Sequence, residues 1–99
     1  MYLLDFHEEA ETEFNESYVW YGLQKDGLEE RFRLAVDDTL QRIQINPEYF
    51  SYCKKPYRQA LVKVFPFAIV FRINKRNNSV FISAIYHTKR NPKKKYRKK

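Results

Sequence analysis

Apolar residues recur at helical spacing in the first quarter of the chain. Ala10, Phe14, Tyr18 and Tyr21 lie three or four residues apart, and glutamates occupy another face. This pattern predicts an amphipathic helix over residues 8–23. Three of the glutamates fall in its first turn, where the helix dipole favours acidic side chains.

A second helical stripe follows a polar break, "QKDG", that contains Gly27. It predicts a helix over residues 28–45, which ends before Pro47 because a residue that precedes proline avoids helical backbone angles. The apolar face consists of Leu28, Phe32, Ala35, Val36, Thr39, Leu40 and Ile43. Two helices joined by a short turn predict an antiparallel hairpin.

The second half of the chain has the period of β-strands. "FAIVFRI" places Phe67, Ile69 and Phe71 on one face and Arg72 on the other. "SVFISAIYH" is apolar on both faces, which predicts a central strand that is covered on both sides. "RQALVKVF" predicts a further strand, and "NKRNN" predicts a turn. A short N-terminal strand is expected within "MYLLDF".

These elements predict an α+β domain. It consists of a short N-terminal strand, an antiparallel helix hairpin and a three-stranded antiparallel meander, with the helix pair packed on one face of the sheet. We expect a single domain over residues 1–92 and a basic C-terminal tail over residues 93–99. The low-complexity segment "NPKKKYRKK" predicts that the tail is mobile.

Charge divides the chain into two unequal parts. All 12 acidic residues, and only four basic ones, precede Cys53, whereas 15 Lys and Arg residues and no acid follow it. Part of this division predicts attraction between the two halves. The net charge of +7 leaves a surplus on the second half, which favours a polyanionic partner.

Composition argues against several functional classes. The chain has two glycines, too few for a glycine-rich phosphate loop, and its single Cys53 cannot form an internal disulfide. The two histidines, His7 and His87, have no further ligand at metal spacing, so we expect no metal and no cofactor. No apolar run is long enough to span a bilayer, and the N-terminus does not resemble a signal peptide. We therefore expect a cytoplasmic protein with no membrane association.

The basic second half carries the candidate chemistry. Histidine is the side chain suited to proton transfer near neutral pH, and arginine holds phosphate with a two-pronged fork, so these residue types suit ribonucleolytic cleavage without a metal. The candidate catalytic residues are His87, Arg58, Arg72 and Arg90, which strand order can bring to one face or edge. The candidate binding residues for nucleic acid or a partner are Lys54, Lys55, Lys63, Tyr86, Lys89, Lys93, Lys94 and Lys95. The alternatives are a strand-end histidine, an Arg72 that pairs with a helix carboxylate, and a solvated tail.

The sequence resembles the RelE/ParE superfamily of toxins from bacterial type II toxin–antitoxin modules. The resemblance rests on "EEAETEF", "GLEERFRLAVDDTLQRIQINPEYF", "YRQALVKVFPFAIVFRI" and "VFISAIYHTKRNP" in this order. It implies the same order of strand, helices and meander. It also implies a cognate antitoxin that binds the toxin and forms a hetero-oligomer with it.

The superfamily divides by target. RelE-like members cut messenger RNA on the ribosome, and the resemblance implies that Arg58, Arg72, His87 and Arg90 would take the active positions here. ParE-like members poison DNA gyrase and are not nucleases. The ending "AIYHTKRNP" favours the ParE-like branch. A third class, a nucleic-acid-binding module without toxicity, stays open.

Overall fold

The computed structural model describes residues 1–90 and 92–99. Its elements are β1 (Leu3–Phe6), α1 (Glu8–Gln24), α2 (Leu28–Ile45), a 3-10 turn (Pro47–Tyr49), β2 (Tyr52–Lys54), β3 (Tyr57–Leu61), β4 (Phe67–Asn74) and β5 (Ser79–His87). The predicted α+β fold is confirmed, and both helices agree with their predicted bounds to within one residue. Asn91, which begins the predicted lysine-rich segment, lies outside the described residues.

The strands form one sheet in the order β1-β5-β4-β3-β2. β3, β4 and β5 are the predicted antiparallel meander, and β1 joins β5 in parallel. β2, a three-residue strand that pairs with β3, was not predicted from the sequence. β5 lies between β1 and β4, which confirms that it is an inner strand over the part where β1 extends.

Local sequence explains where the helices begin. The His7 side chain caps α1, since its Nδ1 accepts a hydrogen bond from the Glu9 backbone N–H at 3.0 Å. Gly27 precedes α2 with a φ of 86°, a left-handed conformation that glycine adopts without steric cost. α2 ends at Ile45, before Asn46 and Pro47, as the sequence predicts. Neither helix in the described ranges is long and apolar enough to cross a membrane.

The main core lies between the helix pair and one face of the sheet. Phe32 of α2 is fully buried, and its ring centroid lies 4.8 Å from that of Phe67 in β4. Phe71 and Ile69, also on β4, are fully buried in the same cluster. The predicted packing of the helix pair on one face of the sheet is therefore confirmed. Of the predicted apolar face of α2, four residues are buried and three are partly buried: Phe32, Val36, Thr39 and Ile43, and Leu28, Ala35 and Leu40, respectively.

The opposite face of the sheet is covered by the C-terminal segment. Tyr96 packs on a smaller apolar cluster that includes Tyr57, Val70, Ala84 and Tyr86. The expected mobile tail is thus packed against the protein in this structure. The lysine-rich composition does not indicate this packing, because two residues among the lysines, Tyr96 and Arg97, contact the rest of the fold with their side chains.

Ser83 is the point at which the segment attaches. Register places Phe71 opposite Ile82 and Val70 opposite Ala84, so Ser83 is the extra residue of a β-bulge in β5. Its hydroxyl donates to the Lys95 carbonyl and accepts from the backbone N–H of Arg97, both at 2.7 Å. This buried serine is therefore a docking residue for the C-terminal segment.

Candidate partner-binding groove

An open groove of about 780 Å³ lies at the end of β5. Its apolar lining comes from α1 and the two central strands, and charged residues from both halves of the chain line it as well. The lining consists of Glu13, Glu16, Ser17, Trp20, Tyr21, Phe67, Ile85, Tyr86, His87, Lys89, Arg90 and Pro92. Apolar surface with charges of both signs is suited to a polypeptide partner.

His87 is held in place at the end of β5. Its ring contacts Phe67 edge to face, with 5.3 Å between the centroids. Its Nδ1 accepts a hydrogen bond from the Lys89 backbone N–H at 3.1 Å. Because Nδ1 is engaged, the neutral ring carries its proton on Nε2, the nitrogen left for contact with a partner.

The loop that precedes β4 reaches the same end of the sheet, since the Thr88 backbone N–H donates to the Pro66 carbonyl at 2.8 Å. This loop carries the exposed Lys63 next to Val64, which is 87% exposed and has a φ of 74°. A positive φ at a β-branched residue is a strained conformation, and strained residues concentrate at functional sites. The loop therefore adds one cation and one exposed apolar side chain to the region of the groove.

Arg58 is engaged within the fold. Its Nη1 donates to the carbonyls of Phe50, at 2.7 Å, and Glu48, at 3.3 Å. The guanidinium also lies over the Tyr52 ring, 4.0 Å from its centroid. These contacts fasten the segment after α2 to β3.

Arg72 lies at the other end of β4 from His87. His87 pairs with Phe67, five residues before Arg72, which corresponds to about 17 Å along the strand. The Arg72 guanidinium lies over the rings of Tyr57, at 5.8 Å, and Phe81, at 5.4 Å. It forms no ion pair within the described part of the chain, so the pairing with a helix carboxylate is not observed.

The candidate catalytic residues are therefore not gathered at one site. His87 and Arg90 line the groove, whereas Arg58 and Arg72 are held elsewhere on the sheet. Strand order does not bring the four together, because Arg72 lies five residues along β4 from Phe67, the partner of His87, and Arg58 bonds to the Phe50 and Glu48 carbonyls. Sequence analysis also missed the groove residues from α1, Glu13, Glu16 and Trp20. The available sequence signal was a tryptophan, Trp20, outside the apolar stripe of this helix; in the structure it is 53% exposed.

The candidate binding residues divide in a similar way. Lys89 lies at the groove, whereas Lys54 and Lys95 lie over the Tyr96 ring on the opposite sheet face. Lys55 lies over Tyr52. The buried Tyr86 donates from its hydroxyl to Gln59 at 3.2 Å, and Lys93 and Lys94 are exposed. Residues 1–90 and 92–99 contain no group of three or more histidine, cysteine, aspartate or glutamate side chains that could hold a metal ion.

A family model described as the ParE toxin of type II toxin–antitoxin systems, parDE, matches residues 4–92. The chain belongs to this family. The match spans both helices, all of the sheet except Leu3, and the groove residues up to Pro92. The toxin thus falls within the RelE/ParE superfamily that its sequence resembles, while no curated protein matches it in sequence.

Solved structures from both branches share the fold of this toxin. The chromosomal ParDE toxin–antitoxin system of P. aeruginosa is similar with a TM-score of 0.70 and 16% identity, over 88% of this chain and 96% of that one. The isolated E. coli RelE toxin gives a TM-score of 0.62 and 20% identity, over 88% and 84%. The intact E. coli RelBE toxin–antitoxin complex is similar with a TM-score of 0.61 and 20% identity, over 86% of this chain and 94% of that one.

Proposed function

We propose that this toxin acts by binding its target, DNA gyrase, and that it does not cleave RNA. The observation that carries the proposal is the engagement of Arg58 with the Phe50 and Glu48 carbonyls. A ribonuclease stabilises the charge that develops on phosphorus with cations placed around the reacting group. Arg58 has its guanidinium committed to the fold, and Arg72 lies about 17 Å from His87 along the sheet.

The groove supports the binding function. Trp20, which is 53% exposed, offers apolar area for a protein surface above the buried Phe67 and Ile85, and aromatic side chains are enriched in such interfaces. Lys89 and Arg90 supply cations next to this lining, while the exposed Glu16 supplies a carboxylate. A target with matching apolar and charged groups would be held here.

A cognate antitoxin is the second partner in this proposal, as in the ParDE and RelBE structures that share the fold. The second half of this chain carries 15 cations and no acid. An acidic antitoxin segment would associate with it rapidly and in a salt-dependent way. Stopped-flow association across a salt series tests this point, and an on-rate indifferent to salt would place the antitoxin on an apolar surface.

The test of the target uses purified toxin in two assays run in parallel. One assay measures DNA supercoiling and DNA cleavage by gyrase, and the other measures translation and transcript cleavage on ribosomes. We expect gyrase inhibition and intact transcripts. Trp20→Ala should weaken gyrase inhibition, while Leu34→Ala, an exposed apolar residue on the other helix, is the matched control. Transcript cleavage without any effect on gyrase would overturn the proposal.

Ribosome-dependent RNA cleavage is the second candidate, because His87, Lys89 and Arg90 share one groove. In that case His87→Gln lowers single-turnover cleavage by about 10²–10⁴-fold, the usual effect of losing a general acid or base. RNA affinity would change little, since the cations remain. Under the gyrase proposal the same variant keeps its toxicity, unless the ring itself contacts the partner.

A further inference from the structure

The face of the sheet opposite the helices is rich in cations. Residues 52–99, which include β2 to β5 and the C-terminal segment, contain no aspartate or glutamate. Lys54, Lys93 and Lys94 are exposed, and none of the three forms an ion pair within the described ranges. This face therefore presents positive charge that the described part of the protein does not neutralise.

Tyr96 organises the cations of this face. The ammonium groups of Lys54 and Lys95 lie 5.4 and 5.5 Å from the centroid of its ring. Lys95 also lies 5.0 Å from the Tyr86 centroid, and the Tyr57 ring lies 5.3 Å from Tyr96. Attraction between a cation and the face of an aromatic ring holds the ammonium group in position next to the ring. Lys54 of β2 and Lys95 of the C-terminal segment are thus brought to one surface, and Lys93 and Lys94 directly precede Lys95 in the chain.

The backbone of the segment is fixed by buried partners. Besides the two hydrogen bonds of Ser83, the Tyr57 hydroxyl donates to the Arg97 carbonyl at 2.6 Å. These bonds hold the chain on both sides of Tyr96, directly after Lys93 and Lys94. A basic segment held in this way loses less conformational entropy on binding than a free tail does.

We propose that this lysine surface, formed by Lys54, Lys93, Lys94 and Lys95 around Tyr96, binds the phosphate backbone of duplex DNA. The inference rests on the proposed function in one respect: the substrate of gyrase is duplex DNA, the polyanion present at the target. A toxin that holds gyrase through the groove and the adjacent DNA through the opposite sheet face contacts both parts of the complex. Each contact adds to the residence time of the other.

The experiment measures binding of a fluorescent 20-base-pair duplex to the free toxin by anisotropy, at several salt concentrations between 50 and 200 mM. The first variant is Lys54→Gln, Lys93→Gln and Lys94→Gln together. The matched control is Lys25→Gln, Arg31→Gln and Arg76→Gln, which removes the same charge from exposed positions elsewhere. We expect the first variant to lower the log–log salt slope by about 2.7, because each phosphate contact contributes about 0.9. The control should keep the wild-type slope.

Two charge-neutral variants test the anchoring. Ser83→Ala removes the hydroxyl that holds both sides of Tyr96, and Tyr57→Phe removes only the hydroxyl that donates to Arg97. We expect Ser83→Ala to raise the Kd for DNA by about tenfold, the effect of losing the immobilised segment, and Tyr57→Phe to raise it less. Circular dichroism confirms that each variant is folded. If Ser83→Ala does not fold, the Kd of Tyr57→Phe for DNA tests the anchoring by itself.

Three results would overturn the inference. Equal loss of affinity in both triple variants would show that binding depends on total charge. Unchanged DNA affinity in folded Ser83→Ala and Tyr57→Phe would show that binding does not require the C-terminal segment to be held against the sheet. Tighter binding of an RNA duplex, or of a poly-glutamate peptide at matched charge, would assign the surface to another partner. Because the assay contains no gyrase, its failure leaves the proposed function intact, and failure of gyrase inhibition leaves the DNA result intact.

Discussion

The guanidinium of Arg97 pairs with the carboxylate of Glu13, although 84 residues separate them in the sequence. Nη2 of Arg97 donates to Oε2 of Glu13 at 3.0 Å, and Nη1 donates to the Ser83 carbonyl at 2.8 Å. Glu13 also accepts the Ile85 backbone N–H at 3.0 Å. The pair therefore provides hydrogen-bond partners for the Ser83 carbonyl and the Ile85 N–H, in the part of β5 that extends beyond β1.

Removal of this arginine should destabilise the fold. The side chains of Arg97 and Glu13 are 11% and 22% exposed, so Arg97→Gln leaves a carboxylate that is largely removed from water without its charged partner. We expect a loss of about 3 kcal/mol in the free energy of unfolding, at the lower end for breaking a buried pair. Urea denaturation measures it. Lys98→Gln, an exposed neighbour, should change the value by at most about 0.5 kcal/mol. Equal stability of the two variants would contradict this packing.

The core beneath the helices gives the second prediction. Phe32 and Phe71 are fully buried, so replacing either with alanine should cost about 3–5 kcal/mol through lost transfer energy and cavity formation. Thermal and urea denaturation provide the measurement. Leu34→Ala on the exposed side of α2 is the control and should cost less than about 1 kcal/mol. A cost below that value at both phenylalanines would refute the observed core.

Arg58→Lys tests whether Arg58 is structural. Lysine keeps the charge but lacks the planar fork that bonds the Phe50 and Glu48 carbonyls and stacks on Tyr52. We expect a loss of about 1–2 kcal/mol in stability, the effect of an unmade hydrogen bond. Gyrase inhibition per folded molecule should stay at the wild-type level. Unchanged stability together with lost activity would place Arg58 in the functional site.

Alkaline pH should weaken the fold through Tyr21. Burial raises the pKa of Tyr21 above its usual value of 10.0. The unfolded tyrosine ionises first as pH rises, so the unfolded state binds fewer protons, and stability present below about pH 10 is lost above it. Tyr21→Phe should make this loss shallower in unfolding measurements across that range. Tyr49→Phe, at an exposed position, is the control and should follow the wild-type curve.

The sequence predicts the helices and the inner strands well because their apolar periods are long and regular. It does not reveal β2, since Tyr52–Lys54 is only three residues long and exposed throughout. The position of the C-terminal segment depends on the Ser83 bulge and on Glu13. Ser83 lies 12 residues before Lys95, and Glu13 lies 84 residues before Arg97. Such tertiary partners leave no local pattern.

The candidate site was predicted in part. His87 is the last residue of β5, whose apolar run is long, and Lys89 and Arg90 come shortly after it. Their common location therefore follows from the sequence. Arg58 and Arg72 look equivalent in sequence, but strand register and hydrogen-bond partners distinguish them from the groove residues. The contribution of α1 to the groove depends on how the helix lies against β5, which periodicity alone does not specify.

The side-chain closure of β5 by Glu13 and Arg97 also bears on self-assembly. Unpaired N–H and C=O groups along a strand can template polymerisation with a second copy, and natural sheets block this with charges or very short outer strands. Here an ion pair occupies those groups at Ser83 and Ile85, where β5 extends beyond the outer strand β1, and the outer strand at the other border is the three-residue, lysine-bearing β2. Both features oppose edge-to-edge pairing of newly made toxin molecules.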